Sequence, residues 1–207
     1  MASRPTRPYR SVQRSQIVDA GRDRIVSAAR ELLEADEAEA FSIDAVARRA
    51  GVARMTVYNQ FESKAGLLEA LFDSLAERAG LGQIAEVFRE TDVNHALDLY
   101  VAVFGRFWTA NRRAHRRLRA AALQDTDLEA AIAQRNERRR RGLNEFVRRL
   151  GKSPRSRAND GFAGKELVNV LFVLLSFETF DALAGPERTP DDMTPTVQRL
   201  ARLIIDA

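Results

Sequence analysis

Between Phe41 and Leu68 the chain alternates apolar helix faces with two kinds of stop, and that punctuation leaves few folds open. Ser42 is a good N-cap, with a side-chain oxygen free to take an orphan amide of the first turn. Ile43, Val46, Ala47 and Ala50 follow at helical spacing and give one apolar face. Gly51 then breaks the pattern, supplying the positive φ that a sharp turn between two helices requires. A second short helix begins near Ala53 and turns Val57 and Phe61 inward, leaving Arg54, Thr56, Tyr58, Asn59 and Gln60 on other faces. Two short helices joined across a glycine form a helix-turn-helix, whose second helix is shaped to enter a major groove.

The polar residues of the segment fit that reading. Ser42, Tyr58 and Lys64 offer the hydroxyl, phenol and ammonium donors that suit phosphate oxygens. Arg54 suits guanine O6 and N7, Asn59 and Gln60 suit adenine, and Met55 or Thr56 suits a thymine methyl. Taken singly, Tyr58 reads equally well as a half-buried core tyrosine and Lys64 as a surface lysine. Together, at this spacing, they read as a DNA-facing set. The run from Ala50 to Leu68 resembles the DNA-reading segment of the TetR family of transcriptional regulators, A-G-V-S-x-G-T-x-Y-x-H-F-x-S-K-x-x-L. It agrees at Ala50, Gly51, Val52, Thr56, Tyr58, Phe61, Ser63, Lys64 and Leu67, and departs at Ala53, Met55 and Gln60.

Composition narrows the function classes. With no cysteine among 207 residues, disulfides, cysteine-based zinc sites and cysteine nucleophiles are excluded. His95 and His115 are far apart, and neither has a metal-ligating neighbour at helical spacing. No glycine-rich phosphate loop and no nucleophile elbow is present. The chain therefore reads as a binding protein, not an enzyme, with no cofactor and no metal. A net charge of +4 permits an anionic partner. The longest clean apolar run, Val170 to Leu175, is far too short for a membrane span, and the N-terminal stretch lacks the apolar core of a signal peptide. A cytoplasmic location is the expectation.

Along the chain, residues 1–20 read as a basic flexible arm, with Arg4, Arg7, Arg10 and Arg14 and a first acid only at Asp19. It is either a DNA-tracking arm or a leader without a role. A bracing helix is expected from near Arg22 to Ala35, with Ile25, Ala28, Ala29, Leu32 and Leu33 inward, and an acidic loop from Asp36 to Ala40 follows. A further helix, capped by Ser63, carries Leu67, Leu68, Leu71, Phe72 and Leu75 and stops at Gly80. The helix-turn-helix domain is accordingly set at 21–80, and a larger helical domain at 81–207. No strand pattern occurs, so the fold class is all-α: a three-helix DNA-binding domain followed by a helical ligand-binding and dimerisation domain.

In that second domain the stretch Gly161–Leu183 reads as one helix, apolar nearly all round, and a last helix carries Val197, Leu200, Ala201, Ile204 and Ile205. Such helices either close a monomeric core or pack against their copies, as homodimers do through Leu167–Phe180 and Val197–Ile204. Phe104, Phe107, Trp108, Phe146 and Phe172 come from three helices and suit a small-molecule pocket, with Tyr100 and His115 as polar handles; each alone also suits plain core filling. The arginines at 112–119 and 135–141 read as solvated faces, with an anionic ligand, extra phosphate contacts or an acidic protein as alternatives. The resemblance implies a ligand-responsive transcriptional regulator, a repressor released from double-stranded operator DNA by a small, largely apolar effector. The alternative is a DNA-binding scaffold of nucleoid type without an effector.

Overall fold

The structure, a computed structural model, describes residues 8–35, 40–150 and 164–206. The described residues form helices and turns without strands, and they divide into two compact units, Met1–Phe72 and Asp73–Ala207.

In the first unit α1 (Pro8–Glu34), α2 (Ile43–Ala50), α3 (Arg54–Phe61) and the start of α4 (Lys64–Arg78) enclose a small apolar core. Ile25, Ala29, Leu32 and Leu33 of α1, Val46 and Ala50 of α2, Val57 and Phe61 of α3, and Leu67, Leu68 and Leu71 of α4 are all buried. These are the residues whose spacing marked them as inward. The helix ends also follow their caps. The Ser42 hydroxyl accepts from the Ala45 amide at 3.1 Å, and that of Ser63 from Gly66 at 3.1 Å.

Helix α1 begins at Pro8, within the stretch expected as an N-terminal arm over residues 1–20, instead of near Arg22. Proline suits the first helical turn because the amide it lacks would be unpaired there, and the Arg and Gln that follow propagate a helix well. Arg10 and Arg14 fall on its first turns, whereas Arg4 and Arg7 lie outside the described residues, as does most of the acidic loop, at 36–39. The boundary between the units also differs from the expected position near Gly80. It falls inside α4, after Phe72, because the later turns of that helix pack with the second unit: Ala76 and Ala79 join its core, and the Leu75 carbonyl accepts from Asn111. Gly80 does end the helix, at φ 69°.

The second unit is built from α5 (Ile84–Val87), α6 (Val93–Ala110), α7 (Arg112–Ala122), α8 (Thr126–Leu150), α9 (Lys165–Leu174), α10 (Phe177–Ala184) and α11 (Thr194–Asp206). Helix α6 runs centrally and packs on α5, α7, α10 and α11, while α8 packs on α7 and α9. Gly105 is what admits α11 so closely: a Cβ there would stand 2.1 Å from the Thr194 hydroxyl.

The single helix expected over Gly161–Leu183 is two, α9 and α10, bent by 42°. Residues 161–163 lie outside the described set. Ser176 causes the break. Its hydroxyl accepts from the Thr179 amide and so caps α10, which removes it from the preceding helix. The Leu175 carbonyl then lacks a helical partner, and the Trp108 indole donates to it at 3.1 Å. Part of the basic stretch at 112–119 is also structural: Arg112 and Arg116 both bind the Asp181 carboxylate, and Arg112 reaches the Gly185 and Arg188 carbonyls besides. Burial of Asp181 favours its neutral form, but the two arginines outweigh that and hold its carboxyl below the usual range.

Candidate nucleic-acid interface

Helix α2 ends in a Schellman turn. Gly51 sits at φ 64°, its amide donates to Arg48, and the Val52 amide donates to Ala47, which closes the last turn of α2 and redirects the chain into α3. Helix α3 starts from Ala53 with no side-chain cap, since alanine stands where a hydroxyl would serve. Its buried side, Val57 and Phe61, anchors it. Its remaining side carries the expected DNA-facing set. Arg54, Met55 and Asn59 are exposed, Met55 at 65%, while Thr56, Tyr58 and Gln60 are half-buried. Ser42 and Lys64 are half-buried at the starts of α2 and α4. The Ser42 oxygen is used as an acceptor in its cap, which leaves its proton available for donation.

Arg54 is not idle in the free chain. Its guanidinium binds Asp44 at 3.0 Å and the Tyr58 hydroxyl at 3.3 Å, and it lies 5.6 Å from the Tyr58 ring centroid. The Tyr58 hydroxyl and the Asp44 charge both favour the protonated guanidinium, so Arg54 stays a cation. The exposed pair is screened by water and readily exchanged for another acceptor.

Four supporting residues escaped the sequence reading. Arg22 of α1 donates to the Gln60 carbonyl at 2.7 Å and lies 4.3 Å from the Phe61 ring, so it closes the C-terminal end of α3. Glu62 adopts φ 63° and ψ −38° at the centre of a γ-turn, with the Ser63 amide donating to the Phe61 carbonyl at 2.6 Å; this is a strained conformation for a residue with a Cβ. Gly66 relieves the crowding beyond it, because a Cβ at that position would stand 2.1 Å from the Phe61 carbonyl oxygen. A glycine inside a helical pattern was the available signal for this close approach. Asp44, in the first turn of α2, looks like an ordinary helix-dipole partner and gave none.

In the second unit the aromatic residues singled out by sequence do gather. Tyr100 contacts Phe146 and Phe104, with centroids 5.1 and 5.6 Å apart, and Phe104 contacts Trp108 at 5.7 Å. Trp108 touches Phe107 at 4.6 Å and His115 at 4.7 Å. Phe177, which sequence reasoning did not include, closes on His115 at 5.3 Å. Phe172 stands at the side, joined to Trp108 through Arg139, whose guanidinium lies over both rings. His115 Nε2 is shut away from solvent without a hydrogen-bond partner. Burial first, then the Arg139 and Arg119 charges, push its pKa down to about 4, so the ring is neutral at pH 7. Burial likewise pushes the Tyr100 phenol up, keeping it protonated. Among the described residues no group of His, Asp or Glu is arranged to hold a metal ion, and no single helix is long and apolar enough to cross a membrane.

Residues 25–71 match the model of the bacterial regulatory proteins of the tetR family. The chain is 37% identical over 71 residues to the HTH-type transcriptional regulator AlkX of Mycobacterium tuberculosis; that stretch is 34% of this chain and 32% of the length of AlkX. The fold is similar to that of a transcriptional regulator from Rhodococcus sp. Rha1, with TM-score 0.62 at 18% identity over 90% of this chain and 98% of that one. It is also similar to NalD, the secondary repressor of the MexAB-OprM multidrug efflux pump in Pseudomonas aeruginosa, with TM-score 0.61 at 21% identity over 90% and 96% of the two chains.

Proposed function

We propose that this chain, whose residues 25–71 match the tetR-family model, is a ligand-responsive repressor of that family working as a homodimer. The observation that carries the DNA reading is the arrangement of α3. Val57 and Phe61 fix the helix from behind while Arg54, Met55 and Asn59 are exposed on its other side, toward base edges. Ser42, Tyr58 and Lys64 supply phosphate donors that set the register. Arg54 reads a guanine by exchanging Asp44 for O6 and N7, so Asp44 holds the guanidinium extended until DNA displaces it.

Two copies are needed because one short recognition helix reads few base pairs, whereas a dimer addresses half-sites about one helical turn apart, roughly 34–36 Å. Apolar residues left open on α9 and α11 support this assembly: Val173 and Leu203 are each 62% exposed, and Leu200 is 37% exposed. The effector site is the ring cluster of Tyr100, Phe104, Phe107, Trp108, His115, Phe146 and Phe172. A ligand that prefers the DNA-incompetent state lowers operator affinity by its differential affinity for the two states, with α4, which begins in one unit and ends in the other, as the connecting element. Close ring-to-ring packing in the cluster is the observation that would favour a scaffold without an effector.

A salt titration of DNA binding tests the assigned roles. Lys64→Ala is expected to weaken binding to all sequences alike and to make the salt dependence shallower by about one unit. Arg54→Ala is expected to relax preference at particular base pairs, at roughly 1–3 kcal/mol for each. Parent-like behaviour of both variants would remove the interface from α3 and α4.

A further inference from the structure

Aromatic rings account for an apolar lining, but the guanidinium that lies across them has a different chemistry. Arg139 projects from α8 with its charge 5.8 Å from the Trp108 ring centroid and 4.0 Å from that of Phe172. A guanidinium carries five N–H donors. Among the described residues Arg139 makes one hydrogen bond, at 3.5 Å to the Phe172 carbonyl, and its Nε is shut away from solvent with no acceptor. Glu178 favours its charge without forming an ion pair with it. Arg119 already occupies Glu178, and Arg140, 3.8 Å from the same Phe172 ring, donates to Asn169 and lies near Glu137. No carboxylate among the described residues forms an ion pair with Arg139. Across Trp108 stands His115, whose Nε2 is also buried and unpaired. Two orphaned polar groups on α7 and α8 thus flank one indole.

A half-buried charge without an ion pair is costly unless something supplies the counter-charge. We infer that Arg139 anchors a carboxylate of the effector, which is therefore an amphipathic monocarboxylate: its acid group takes the guanidinium, its apolar body lies along the Trp108 and Phe172 rings, and His115 Nε2 is the second polar contact. This rests on the reading of the ring cluster as the effector site. A planar carboxylate matches the guanidinium fork. A phosphate dianion would bring a second charge between aromatic walls whose neighbouring arginines, Arg119 and Arg140, already hold Glu178 and Asn169. The basic stretch at 135–141 then divides by position: Arg140 and Arg135 serve Asn169 and Asp73, and Arg139 is held for a ligand.

The full chain has one tryptophan, so Trp108 emission reports on the site. The probes are unbranched monocarboxylates from acetate to dodecanoate, together with benzoate, each beside its primary amide. In the parent at least one acid is expected to change the emission saturably, and to bind roughly tenfold or more tightly than its amide. In Arg139→Met that acid preference should vanish while thermal melting stays at or above the parent's, since a half-buried charge without an ion pair has been removed. If Arg139→Met does not fold, the acid-to-amide ratio in Arg139→Lys decides, and it should fall severalfold because the fork is lost. Equal binding of acids and amides, an acid preference that survives loss of the guanidinium, or no saturable response to any acid would overturn the anchor. Acid binding that leaves operator affinity unchanged would leave the anchor standing and refute the regulatory reading instead.

Discussion

A histidine held neutral among aromatic rings makes stability depend on pH in a definite direction. His115 titrates near 4 when folded and near 6.5 when unfolded, so between those values the unfolded chain binds the additional proton. Stability is present in full above pH 6.5 and is lost as the pH falls toward 4, beyond which no more is lost from this group. Every tenfold difference in proton affinity between the two states is worth about 1.4 kcal/mol, so the loss reaches roughly 3 kcal/mol. Denaturant melts of the parent and His115→Leu between pH 8 and pH 4 check this. The parent should lose stability relative to the variant over that window, and parallel curves would show that the ring is hydrated after all. Individual residues were legible where the physics is local. Ser42, Gly51 and Ser63 cap and turn the chain as their types dictate, because a cap needs only the next three amides. Arg112 with Asp181 and Trp108 with Leu175 were not legible, because those partners are 69 and 67 residues apart and nothing local pairs them.

Elements were legible by periodicity and failed where one polar residue was hidden in an apolar run. The stripes of α1, α4 and α6 are buried as their spacing indicates. Ser176 sits among Leu174, Leu175 and Phe177, and its role as a cap, not as an interruption, is what splits α9 from α10. Pro8 was the corresponding signal for an early start of α1. The same elements locate the proposed dimer surface more sharply than hydrophobicity could. Leu167, Val168, Leu171 and Leu174 are consumed by the unit's own core, while Val173 on α9 and Leu200 and Leu203 on α11 remain open. Leu203→Glu is therefore expected to yield folded monomer, or a dimer weakened at least tenfold, since the side chain it replaces fills no core of its own. Sedimentation at micromolar concentration, with circular dichroism as the check on folding, measures it. A parent that sediments as a monomer would contradict the assembly.

For the whole molecule, the helix-turn-helix was the legible part, and the second unit was legible only as helices with an aromatic interior. Recognition helices are constrained at nearly every position by turn geometry, packing or donor chemistry. The proposed effector site is instead a matter of long-range convergence, as α6, α7, α8 and α10 bring Trp108, His115, Arg139 and Phe177 together. The central claim, that two copies of α3 read a two-fold DNA site, is tested most directly by selection from a random duplex pool with the purified full chain. The enriched sequences should share an inverted repeat with half-site centres about 10–10.5 base pairs apart, or a multiple of that turn. Arg54→Ala should lose preference at one position in each half. Enrichment of a single asymmetric half-site, or none above non-specific binding, would contradict it.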